Sequence, residues 1–106
     1  MNELEGRFEK EMMHLYEEPK RLYHYNATYL LKMIHEHGHL NAAKILVKNP
    51  AHSEGLTKLW ELGELGLSVE ALSLRDPWNQ LFSDDELEAA AKKLKDLDYS
   101  EPGSKF

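Results

Sequence analysis

Apolar residues along this chain recur every three or four positions, and no stretch alternates with the period of two that a half-buried strand requires. Leu4, Phe8, Met12 and Leu15 are spaced by four, four and three, which lines one face of a helix. Glu3, Glu5, Glu9, Glu11 and Glu17 cover much of the remaining surface, and the first acids suit the positive end of a helix. Pro19 predicts a kink or an end at Glu18, because the residue before a proline is steered out of the helical region. Asn26 is placed to cap a second helix, "ATYLLKMIHEH", in which Leu30, Leu31, Met33 and Ile34 form a broad apolar stripe. Gly38 stands where a left-handed residue would close it.

The same signals continue. "LNAAKILVK" is a short helix that stops before Asn49-Pro50. Ser53 is a cap for "EGLTKLWEL", which Gly63 or Gly66 ends, and Ser68 is a cap for "VEALSL". Asp76-Pro77 has the form of a cap followed by a first helical residue, opening the brief turn "PWNQLF". Ser83 and Glu86 have capping-box spacing and start a helix with Leu87, Ala90, Leu94 and Leu97 on one side. Helices this short are marginal alone and must be held by packing. The expected fold is all-α, a compact orthogonal cluster of six or seven short helices. Residues 1–99 form one domain, and "SEPGSKF" at 100–106 reads as a disordered tail.

Length and charge narrow the classes. With 106 residues the chain can bury one core without staples, and it has no cysteine for disulfides or thiolate metal ligands. "MNELEGRFEKE" has no apolar signal region, and "YLLKMI" and "AAKILV" fall far short of the ~20 residues that cross a bilayer. A cytoplasmic protein without a membrane partner is expected. The net charge of −6 is unevenly spread: residues 19–58 carry six bases against two acids, and acids dominate on either side. Such a division marks either an anion-binding surface or segments that neutralise one another after folding.

Within "MIHEHGHLNAAK", His35 to His39 matches H-E-x-x-H, which on a continuous helix supplies two zinc ligands and a general base. That chemistry needs both imidazoles on one face, a third protein ligand and an open position. Gly38 immediately precedes the second histidine, so the helix is expected to break and point His39 elsewhere. The match is read as fortuitous; His35, His37 and His39 are at most adventitious metal ligands, and no cofactor is expected. Nucleophilic catalysis is no better served, since the serines stand at caps and no G-x-S-x-G or phosphate-cradling glycine loop is present.

Two nucleic-acid readings are open to these residues. "NAAKILVK", the turn "NPAHSE" and "GLTKLWELG" have helix-turn-helix lengths, but the second helix carries Glu61 and Glu64 beside Lys58. More loosely, Lys20, Arg21, His24, Lys32, Lys44, Lys48 and His52 could meet phosphates while Tyr23, Tyr25 or Tyr29 stack on bases. Against this, the tyrosines are suited to anchoring the junction of the first two helices. Trp60 and Trp78 are expected in or at the edge of the core. Glu70, just inside the Ser68 cap, is expected to serve that helix end or to pair with a lysine of the basic third.

The pieces "YNATYLLKMIHEHG", "AAKILV", "SEGLTKLWELGELGLSVEAL" and "LFSDDELEAAAKKL", spanning Tyr25 to Tyr99, resemble a bacterial all-helical domain family of unknown function. The marks are the glycine after the second helix, Ala42-Ala43, the run Leu67 to Glu70 and the Leu-Phe-Ser before the last helix. Where that family often has a second glycine, this chain has His39. The resemblance implies a small standalone or accessory module near nucleic-acid-handling genes, and no catalytic residues. The expectation is therefore a non-enzymatic interaction module that binds another protein or itself. The alternatives are an accessory nucleic-acid binder using residues 19–58, and a small acidic inhibitor of a basic protein.

Overall fold

In the computed structural model, which describes residues 3–104 and 106, Phe8, Met12 and Leu15 are buried along α1 (Glu3–Tyr23). The remaining helices are α2 (Thr28–His37), α3 (His39–Lys48), α4 (Glu54–Glu61), α5 (Val69–Leu74) and α6 (Asp84–Asp96). Single 3-10 turns occupy Leu65–Leu67 and Trp78–Leu81, and no strand occurs among the described residues. The fold is therefore all-α, with six helices, of which α1 is long rather than short.

The local caps fall where the residues place them. Ser53 accepts from Leu56 N–H at 3.0 Å and Ser68 from Ala71 N–H at 3.1 Å. Ser83 and Glu86 exchange both bonds of a capping box. Gly38, at φ +83 and ψ 165, donates to Ile34 O and accepts from Ala42 N–H, so it closes α2 and opens α3. That backbone conformation is essentially reserved for glycine.

Three expectations about ends are corrected. Pro19 lies inside α1 instead of ending it. Its ring removes one helical hydrogen bond, but it is fully buried, and packing carries the helix across the gap. The helix stops instead at His24, which is left-handed (φ 56) and donates to Lys20 O at 3.0 Å. Asn26 does not cap α2: Ala27 holds that position without a side-chain bond. Asp76 is not a cap either; the Asp76–Pro77 peptide is cis, and the turn begins at Trp78.

The core closes around α5, whose six residues are all buried and which packs against α3 and α6. Phe8 reaches it from α1, with its ring 6.0 Å from Trp78 and 5.8 Å, edge-on, from Phe82. The segment read as a disordered tail is tied to this core. Glu101 is buried and ion-paired with Arg75, which also donates to Gly66 O, and Tyr99 Oη donates to Glu101 at 2.8 Å. Phe106 packs against core residues. Met1, Asn2 and Lys105 lie outside the described residues.

Because nothing stands within 4 Å of a Cβ built at Gly38, the cost of a side chain there is purely conformational. Gly38→Ala is expected to lower the unfolding free energy by about 1–3 kcal/mol, measured by urea denaturation. An unchanged midpoint would show that the α2–α3 junction does not need glycine.

Candidate functional site

Gly38 decides the arrangement of the histidine cluster. His37 is the last residue of α2, and His39 the first of α3, where its Nδ1 is 3.7 Å from Glu9 Oε2 on α1. His35 and His37 are exposed on α2. Among the described residues no three histidines or acids are placed to hold a metal ion.

Of the seven basic-surface candidates, three face acids of this chain. Arg21 is bound to Glu18 at 2.9 Å within α1, and Lys20 lies 5.5 Å from the Tyr16 ring. Lys44 crosses from α3 to Glu86 of α6 at 2.9 Å, and His52 faces Asp96 at 3.6 Å. His24, Lys32 and Lys48 are exposed on α1's end, α2 and α3. Burial pushes the Glu86 carboxyl up, but the Ser83 backbone N–H and the Lys44 ammonium outweigh it and hold its pKa below the ordinary 4.5.

Glu70 is bound at 2.7 Å to Lys93 of α6, not to the basic third. Both side chains are only 5% exposed, and Lys93 Nζ also donates to Leu46 O on α3 at 2.7 Å. The signal for this partner was present: Lys93 stands three residues after Ala90, on the apolar side of α6.

Above this pair lies a cleft missed by the sequence reading. Leu15 and Pro19 of α1, Leu30 of α2, and Leu56 and Leu59 of α4 form its walls, and Glu70 and Leu46 are also among its lining. Its empty volume is about 560 Å³ with the open mouth included, yet the centre of a water molecule can move through only about 60 Å³. The inner space is thus the size of a side chain rather than of a cofactor. A second, wider cleft shares Tyr29, Leu46 and Ser53 with it and continues past Asn49, His52 and Glu54. Sharing these residues, the two adjoin as one groove whose lining is mainly apolar throughout, with His52 and Glu54 at its outer end.

Its mouth carries two features of use to a ligand. The Tyr25 hydroxyl lines the inner cleft over the first turn of α4, 3.8 Å from where a Cβ at Gly55 would stand. Burial, and then the Glu54 carboxylate, push its pKa up, so it remains a neutral donor. It has no hydrogen-bond partner among the described residues. Second, Leu22, Tyr23, Tyr29 and Trp60 are 40–51% exposed on elements that wall or flank the groove. Trp60, expected in the core or at its edge, is half exposed, whereas Trp78 is buried. Tyr23 donates to Glu64, Tyr29 is half exposed, and Tyr25 is partly buried in the lining of the inner cleft.

The hydroxyls of Ser53 and Ser68 in the groove are committed to caps, and Glu70 to Lys93. No helix among the described residues is long and apolar enough to cross a membrane. Comparison with protein-family models, curated proteins and solved structures finds no match to this chain.

Lys93→Met alone strands a buried carboxylate and is expected to cost about 3–5 kcal/mol, whereas Lys93→Met with Glu70→Leu should recover most of that loss. Denaturation midpoints of the three variants decide it; a double variant no better than the single would contradict the pairing. A carboxyl held below its unfolded pKa contributes stability above that value and loses it as pH falls through the folded one. Stability is therefore expected to fall below about pH 4.5 more steeply in wild type than in Glu86→Gln. Parallel acid profiles would remove Glu86 from this role.

Proposed function

We propose that this chain is a non-enzymatic interaction module that binds another protein by seating one of its apolar side chains in the inner cleft between α1, α2 and α4. The cleft itself carries the reading: an open apolar socket one side chain wide, with exposed aromatic residues on its surrounding elements. Tyr25 and Tyr29 stand in the lining itself, and tyrosine beside an apolar pocket is a composition that binding hot spots favour. Of the polar groups that line the socket, the Ser53 and Ser68 hydroxyls are engaged in caps and Glu70 in the buried ion pair, which leaves the Tyr25 hydroxyl as a donor with no base hydrogen-bonded to it among the described residues. The nucleic-acid alternative gains less, because Arg21, Lys44 and His52 already face acids of this chain.

Gly55 provides the test. A Cβ there meets only ordinary contacts, so Gly55→Leu is expected to fold while its side chain plugs the groove. A displayed random-peptide library is selected on wild-type protein, with far-UV circular dichroism confirming that the variant is helical. Enriched peptides are expected to share an apolar anchor and to bind Gly55→Leu at least about tenfold more weakly. Peptides that bind both proteins equally would place the interface elsewhere. A dimer by light scattering that Gly55→Leu dissolves would show a second copy, not a partner, in the cleft.

A further inference from the structure

The outer half of the groove shows what should accompany the apolar anchor. Glu54 lines it, is exposed, and has no cation within 4.0 Å among the described residues; neither Lys48 nor Lys58 pairs with it. His52, also in that lining, faces Asp96, so a second carboxylate stands behind it. The whole chain carries −6, which steers cations toward it at long range. The unengaged Tyr25 hydroxyl lines the inner half, at the first turn of α4 beside Gly55.

In an extended segment, side chains two residues apart share a face and stand about 7 Å from each other. Adjacent side chains point to opposite faces. An extended ligand that fills the inner cleft with one side chain presents the next but one on the same side, toward the adjoining outer cleft that Glu54 lines.

Resting on the interaction reading above, we infer that the groove recognises a basic segment: an apolar residue in the inner cleft, a lysine or arginine two positions away against Glu54, and a backbone carbonyl accepting from Tyr25 Oη. The partner is then a basic protein displaying such a segment in extended form. Glu54 and Tyr25 determine specificity, while the apolar walls supply most of the affinity. Glu54 also suits the positive end of α4, so its substitution must be read through binding as well as stability.

The experiment is an NMR titration of the full chain with N-acetyl-Leu-Ala-Arg-amide and with the reversed order, N-acetyl-Arg-Ala-Leu-amide. At least one order is expected to shift the Gly55 and Leu56 amides saturably. Replacing arginine by glutamate in the peptide, or Glu54→Gln in the protein, is expected to weaken binding about threefold or more. Tyr25→Phe is expected to weaken it about fivefold with the unfolding midpoint unchanged. Equal binding of the arginine and glutamate peptides would overturn the basic specificity while leaving the socket intact. No shift with either order would overturn it too. Failure of the interaction reading shows separately, in library peptides that ignore Gly55→Leu.

Discussion

The ion pair between Glu70 and Lys93 sets the arrangement of everything around it. Removing a carboxylate and an ammonium from water costs several kcal/mol for each ion, and their attraction offsets this only when geometry is good and the remaining donors are used. Here both conditions are met, with contacts of 2.7 Å from Lys93 to Glu70 and to the Leu46 carbonyl. One ammonium thus joins α3, α5 and α6. Such a pair adds little net stability over apolar residues of the same size, but it discriminates between packings. Sliding α6 by a turn would bury both charges unpaired. Glu70 and Leu46 also line the inner cleft, so the register fixed by Lys93 is the register that shapes the groove.

Nearer the surface, weaker pairs repeat the pattern. Lys44 reaches Glu86, His52 faces Asp96, and His39 approaches Glu9. Each joins the base-rich middle of the chain to an acid-rich flank. The charge asymmetry along the sequence thus becomes local neutralisation in space. Exposed pairs of this kind contribute at most about 1 kcal/mol. What they do change is the surface, leaving Glu54 without a cation on the side where the groove opens.

What could be read from the residues alone was whatever short-range chemistry decides. Ser53, Ser68, Ser83 with Glu86, and Gly38 act within three or four positions, and each stands where its spacing puts it. The break at Gly38 follows from its own backbone freedom, and it carried the argument against a zinc helix. At Pro19, expected to kink or end the helix, the end does not occur because a local rule met a tertiary exception: its neighbours supply the burial that holds α1 together. Trp60 is half exposed for the converse reason. Its apolar neighbours Leu56 and Leu59 take the inner face of α4, and helical geometry turns Trp60 outward. The anchoring of Glu101 depends on Arg75, 26 positions away, and no local pattern announces it. The groove was the least legible feature, since it is walled by residues from five helices and a connecting turn.

The smallest helix has a mechanical consequence. At six residues α5 cannot persist by itself, and its entire surface is covered by other elements. Its persistence depends on the elements packed over it, and Val69 and Glu70, both buried, form the floor of the groove. On the interaction reading proposed above, a guest would meet a seat whose floor is already packed in place, which favours recognition by shape over mutual adjustment.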